Sequence, residues 1–361
     1  MRLSFLKKYV IIFVALLTGC RSIGPAVLHN DRYNYNLAMN YTSKQELLLN
    51  IVRLRYDDAP MVLRVGNISG STRISHGGSL SGRLFFPASG TTSGDFGGNA
   101  SIDYSDNPII SYTPMDNKDF TTQFLGSLEL YDLGLLLQSS WSLPRVFRVT
   151  LQQAGTAVNA PSSARATSSH VPKYQNFIDM VYVLRRMQLA DAITVFYARQ
   201  GPIEELMLVI SKNFKLTPKE RATLKKAGVE IYQDKIIFTN TPQPHKVYVI
   251  TRSMLGILNY LSKGIIVPPI DAKKRILTQT TYPDGKLFDW QSVLRGMMKI
   301  HWSDSKPSDA AVAISYRGHW YYISDSDADS KQTLILLANI SGLIETSPPG
   351  SDATPTLTRG I

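Results

Sequence analysis

A single cysteine, Cys20, stands in 361 residues, so this chain has no internal disulfide and no thiolate cluster for a metal. Histidine is scarce too. The six, at 29, 76, 170, 245, 301 and 319, form no HxxxH pair and none has a carboxylate partner on a predicted helix, which leaves a zinc site without support. GxSxG and Walker loops are missing. Beyond the N-terminus no second run of about 18 apolar residues occurs, so no helix is expected to span a membrane there.

What is present begins at that N-terminus. Arg2, Lys7 and Lys8 precede the apolar run Tyr9 to Leu17, and Thr18 and Gly19 lead into Cys20. Nine apolar residues are too few to span a bilayer as a helix, which takes about 20, and the basic, apolar, small order is that of a secretory signal peptide. Leu17-Thr18-Gly19-Cys20 is similar to the bacterial lipobox, which predicts cleavage between Gly19 and Cys20 and covalent lipid on the Cys20 sulfur. Two or three acyl chains hold a protein at a membrane far more firmly than one. Arg21 after the anchor, in place of Asp, resembles the pattern released to the outer membrane. The expected location is the periplasmic face of that membrane.

The chain carries 39 basic against 28 acidic residues, and removal of Arg2, Lys7 and Lys8 leaves a charge of +8. The basic residues are scattered, which reads as solvated surface. Contact with an anionic envelope polymer is the second reading, and nucleic acid is not an expected partner of an exported protein.

Periodicity predicts an α+β fold of helices packed on antiparallel hairpins, in two periplasmic subdomains. Residues 1–19 are the signal peptide and 20–41 a lipidated tether. An N-terminal domain covers 42–153, opening on a helix capped by Ser43 with Glu46 and closed by Pro60. In it Arg53 and Arg55 are expected to snorkel or to pair with Asp57 and Asp58. A Gly/Ser-rich β insert occupies 66–105. Seventeen of the 36 residues from 66 to 101 are Gly or Ser, and apolar residues alternate at Leu80, Leu84 and Phe86 and again at Ile102 and Tyr104. Two readings stand for this hairpin. It is a surface hairpin with a mobile tip, or one that enters a membrane or is shared with neighbouring subunits in a barrel.

Further along, Asp116 or Asn117 caps a helix through Leu125, a second runs from about Glu129 to Ser139, and a third begins at Pro144. Residues 154–172, small, polar and broken by Pro, predict a linker to a C-terminal domain at 173–341, and 342–361 is read as a disordered tail. In that domain "VEIYQ" and "KIIFTN" form a hairpin across Asp234, and "AVAISY" and "HWYYIS" another across Arg317-Gly318.

Chemistry-bearing spacings are few. Ser303-Asp304-Ser305-Lys306 is an SxxK, but no KTG accompanies it and Pro307 follows at once, as in a polar turn. Asp325, Asp327 and Asp329 fit the first positions of a calcium loop, yet Ser330 and Leu336 replace its Gly and Glu, and a helix start explains the same acids. Trp302, Trp320, Tyr321 and Tyr322 could stack on a sugar, with core packing the default. No catalytic residue, metal or cofactor is predicted, and the chain is read as a non-enzyme.

"DRYNYN", "QELLLNIVRLRYDDAP", "VGNIS", "PIISYTPMDNKDF", "LLLQSSW", "RVFRV" and "YRGHWYYISDSDADSK" together resemble segments that recur in a family of bacterial envelope lipoproteins without an assigned activity. The resemblance runs over most of residues 31–340 and carries no catalytic residue across. It implies an envelope lipoprotein and no more; the absence of catalytic spacing and the two domains joined by a pliable linker lead to the expectation of a structural or assembly component of an envelope complex, of which a secretion apparatus is one kind, partnered by other envelope proteins or by copies of itself. A binding module for peptidoglycan or lipopolysaccharide is the alternative. Cys20→Ala is expected to accumulate as unprocessed precursor, and continued incorporation of labelled palmitate into that variant would overturn the lipid assignment.

Overall fold

The computed structural model describes residues 23–61, 63–81, 97–114, 122, 124–161, 171–274 and 276–346. Its class is α+β, as the periodicity predicts. Two compact units divide the chain, Val62–Asn117 and the flanking chain up to Met61 and from Lys118 onward.

The larger unit opens with helix α1, Ile23–Arg55. The sequence places its start at Ser43, but Ser43 and Glu46 lie in its interior and the expected tether is largely helical. The reason is an absence of breakers. Pro25 sits in the first turn, where proline is tolerated, and no Gly or Pro follows before the end. Asp57, at φ 58°, and Pro60 stop it. Leu48, Ile51, Val52 and Leu54 form its buried face.

A six-stranded sheet makes the centre of this unit. It comprises β3 (Leu151–Ala154), β4 (Ala157–Val158), β5 (Ile193–Gln200), β6 (Ile203–Ile210), β7 (Lys235–Thr239) and β8 (Val247–Thr251), in the order β4-β3-β8-β7-β6-β5. Its pairs are antiparallel except β7 with β8. The antiparallel rule fails there because the two strands overlap only at Phe238↔Val247 and Thr239↔Tyr248, so the chain need not return along a whole strand. Strand β6, "IEELMLVI", is a period-two segment that the sequence reading passed over; it buries Glu204, Leu206, Leu208 and Ile210 at alternate positions. "VEIYQ" was expected to pair as a strand. It contributes only the bridge Tyr232↔Lys235 across a turn in which Gln233 and Asp234 take positive φ.

Because β3 pairs with β8, residues on either side of 154–172 share one sheet, and the chain divides at 61/62 and 117/118 rather than at the expected linker. Residues 162–170 of that linker, and 347–361 of the expected tail, lie outside the described residues. At the turn, Gly155 has φ +57°, and a Cβ there would stand 2.5 Å from the Ala227 carbonyl oxygen.

One face of the sheet is packed by α2 (Leu130–Gln138) and α3 (Leu143–Thr150), where Phe147 meets Phe238 edge-on with centroids 5.2 Å apart. Helix α4 (Gln175–Leu189) lies beside α3, its Gln188 side chain accepting from Leu143 N–H at 2.9 Å. Helix α5 (Pro218–Lys226) starts where Thr217 and Glu220 cap one another. Helix α6 (Met254–Ser262) follows, with Ser253 Oγ accepting from Gly256 N–H at 3.1 Å. Short helices α7 (Pro269–Lys274) and α8 (Gln291–Leu294) precede a second sheet, β10-β11-β9, of β9 (His301–Ser303), β10 (Ala310–Tyr316) and β11 (His319–Ser324). The β10–β11 hairpin forms where predicted, with Arg317 and Gly318 at φ 51° and 84°. Helix α9, Ala328–Thr346, closes the unit.

These parts meet at Arg252. Its guanidinium is buried, donates to the carbonyl oxygens of Arg148 (3.1 Å), Val149 (3.2 Å), Leu151 (2.6 Å) and Asn159, and lies over the Tyr260 ring at 4.1 Å. Burial lowers its pKa to about 10, so it stays charged at neutral pH. Arg252→Leu would leave the Arg148 and Leu151 carbonyls with Asn159 but strip the side-chain donor from those of Val149 and Asn159, and a buried carbonyl left without a donor costs about 1–3 kcal/mol. The variant is expected to lose about 2 kcal/mol or more in urea unfolding, whereas Lys331→Ala, which removes the exposed pair with Asp325, is expected to change stability by under about 1 kcal/mol.

Candidate functional site

The two longest segments singled out in the sequence, "QELLLNIVRLRYDDAP" and "YRGHWYYISDSDADSK", come together. Gln45 on α1 donates to the Ala313 carbonyl at 2.9 Å. Past the end of α1, the buried Tyr56 hydroxyl donates to Asp271 Oδ2 at 2.6 Å and lies 2.5 Å from the Tyr321 hydroxyl. Tyr316 and Tyr321 flank the Tyr56 ring, and the Arg317 guanidinium sits over it at 5.2 Å.

The expected pairing of Arg53 and Arg55 with the two aspartates does not occur. Arg53 donates to the Ala59 carbonyl at 2.7 Å and Arg55 to that of Thr278 at 2.9 Å. Asp58 instead accepts from the Tyr316 hydroxyl and from Arg317, and Asp57 accepts from Thr278 Oγ1 at 3.1 Å. Apart from Ala59, six residues on, the partners lie more than 200 residues away, so local spacing does not signal these exchanges.

The chemistry of this cluster is that of a clasp. Burial, then the bonds to Asp271 and Tyr321, push the Tyr56 phenol well above its ordinary range, and burial raises Tyr316 and Tyr321 as well. All three remain protonated at neutral pH, able to donate hydrogen bonds and poorly suited to act as bases or nucleophiles.

Elsewhere the candidate motifs are engaged in structure. Ser303 Oγ donates to the Ser305 carbonyl at 2.5 Å, closing the polar turn expected of the SxxK. Asp327 accepts from Ser330 N–H (3.0 Å) and Ser330 Oγ (2.6 Å) at the start of α9, Asp329 accepts from Arg145 at 2.7 Å, and Asp325 from Lys331 at 2.9 Å. Among the described residues no three His, Cys, Asp or Glu side chains gather as a metal site. Tyr321 is core, as the default reading had it, and His319 stands edge-on to Trp302 with centroids 5.3 Å apart. Gly19 and Cys20 lie outside the described residues, and no described helix is long and apolar enough to cross a membrane.

A shallow cavity of about 200 Å³ opens beside Glu204, which accepts from Leu130 N–H (2.7 Å) and the Tyr197 hydroxyl (3.2 Å) with Arg199 3.6 Å away. Burial, with the Glu204 charge beside it, pushes Tyr197 up to about 12. Burial likewise raises Asp132, which caps the same helix, to about 6. These carboxylates hold the N-terminus of α2; no base–nucleophile pair forms there among the described residues.

The smaller unit presents a different surface. Strand β1 (Leu63–Ser81) runs antiparallel to β2 (Gly97–Pro114) over an almost unbroken register, the only shift falling at Gly66, between Val65 and Asn67. This is the hairpin the alternation predicts; its tip, with Leu84 and Phe86, lies outside the described residues, as do 115–121 of the helix expected after it. The extra residue at Gly66 keeps the phase of the pattern. Leu63 and Val65, at odd positions, share a face with Ile68, Ile74 and Leu80, at even ones.

Compared with family models, curated proteins and solved structures, the chain finds no match.

Lys263, half-buried beside Arg55, has its pKa lowered to about 8 from the ordinary 10.5, first by burial and then by the Arg55 charge, with Asp57 opposing. Below pH 8 the lysine is charged in both folded and unfolded chains, and the buried charge costs stability. Between pH 8 and 10.5 the unfolded chain holds more protons, so stability rises with pH and the penalty fades. Lys263→Met is therefore expected to be more stable than its parent at pH 7, with an advantage that shrinks through that window. A urea-midpoint difference constant with pH would contradict this.

Proposed function

We propose that this protein is a non-enzymatic component of a cell-envelope complex, held by lipid on Cys20 at the periplasmic face of the outer membrane, whose task is assembly rather than turnover. The observation that supports the reading is the two-stranded ladder. An isolated hairpin of two strands is marginally stable in water, and strands of 19 and 18 residues carry two long edges of backbone N–H and C=O groups that pair with nothing else among the described residues. Such an element is suited to completion by further strands, as in a complex with copies of itself or with other envelope proteins. In the larger unit the polar motifs are spent on internal clasps.

Extraction of the full-length protein in mild detergent tests this. A particle several times the mass of one 40.2 kDa chain is expected. Replacing residues 66–105 by a short Gly-Ser turn is expected to return it to monomer while leaving the urea midpoint of the larger unit within about 0.5 kcal/mol equivalent. A monomeric parent, or salt-sensitive sedimentation with sacculi as its only association, would favour the polymer-binding alternative.

A further inference from the structure

We infer that hairpins from several copies of this chain close into a transmembrane β-barrel with a water-filled lumen; the inference rests on the assembly reading above and names its geometry. The register sorts the ladder into two unlike faces. On one, tipward of Asp106, the cross-strand pairs are Arg73↔Ser105, Ser75↔Asp103, Gly77↔Ser101, Ser79↔Asn99 and Ser81↔Gly97, every position polar or glycine. On the other, the pairs are Thr72↔Asp106, Ile74↔Tyr104, His76↔Ile102, Gly78↔Ala100 and Leu80↔Gly98, polar at Thr72, Asp106 and His76 and otherwise apolar or glycine. A face mostly apolar or glycine opposite one that is polar or glycine is the pattern of a strand between lipid and an aqueous lumen.

Length agrees. From Thr72↔Asp106 to Ser81↔Gly97 each strand contributes ten residues, against the roughly 9–11 that a tilted strand needs to cross the hydrocarbon layer. Asp106, on the apolar face, then lies at the headgroups, with Tyr104 just inside, where aromatic residues form girdles.

The occupant of the edges follows from the bilayer. An unpaired N–H or C=O group in hydrocarbon costs several kcal/mol, so an open ladder is excluded there and the sheet must close. Each copy offers β1 on one edge and β2 on the other, so β1 of one copy beside β2 of the next continues the antiparallel order. About eight strands is the smallest closed barrel, hence at least about four copies. Arg73 and Asp103 would recur around the lumen as rings of charge.

The test uses the full-length lipidated protein in planar bilayers, with single cysteines introduced one at a time. Ser75→Cys and Ser79→Cys are expected to react with a bulky, charged, water-soluble thiol reagent and to lose current stepwise as they do. Ile74→Cys and Leu80→Cys are expected to resist that reagent and, once carrying a fluorophore, to be quenched severalfold by nitroxide-labelled lipid. An oligomer that carries no current, or reactivity that does not alternate along the strand, would overturn the barrel and leave the assembly reading standing. A protein monomeric in membranes would overturn both.

Discussion

The charge of Arg252 has no carboxylate partner among its hydrogen bonds; it is enclosed by carbonyl oxygens from the end of α3, the start of β3 and the stretch just after β4, with the Tyr260 ring of α6 beneath it. Removing a cation from water is costly, and dipoles alone must offset that cost. They do so only if the segments supplying them are held together, so the burial of one guanidinium dictates the joint between sheet and helices. Asn159 completes it by donating to two of the same carbonyls, those of Arg148 and Leu151. Arg148, on α3, repeats the arrangement toward α8, donating to the carbonyls of Val293 and Arg295, while Arg145 on the same helix reaches α9, donating to the Asp329 carbonyl, Thr333 and the Asp329 carboxylate. A helix of eight residues, all buried, thus sits at the centre with arginines reaching out to both sides.

Features decided within a few residues were legible in the sequence. Thr217 with Glu220, Pro144 in a first turn, and the Arg317-Gly318 hairpin depend on local hydrogen bonds and backbone angles, and the chain states them directly. Features decided at a distance were not. Ser43 with Glu46 satisfies the local rule for a helix start, yet nothing upstream prevents the helix from beginning earlier, and a capping pair has no effect once its backbone donors are already bonded. Residues 154–172 look like a linker in composition, but their first turn belongs to the β3–β4 hairpin. Arg252 in "VITRSM" looks like any surface arginine.

The candidate site shows the same division. Alternation in the Gly/Ser-rich insert was visible, and so was a hairpin. Which face each position takes depended on the extra residue at Gly66, and that is a property of the pairing, not of either strand alone. In the same way, "NIVRLRYDDAP" and "YRGHWYYIS" each read as an ordinary helix end and an ordinary hairpin. Only together, and with Asp271 from α7, do they bring the Tyr56, Tyr316 and Tyr321 phenols and the Asp58 carboxylate into one cluster.

That network also sets a timetable. The Tyr56 and Tyr321 hydroxyls that touch are 265 residues apart in the chain. At ribosomal rates of about 5–20 residues per second, tens of seconds pass between the synthesis of one and the other. Throughout that interval the apolar stripe of Leu48, Ile51, Val52 and Leu54 has no β10–β11 hairpin against which to close. The first of the described helices to be made is thus among the last to be covered, and it is a natural client for whatever chaperone shields nascent chains.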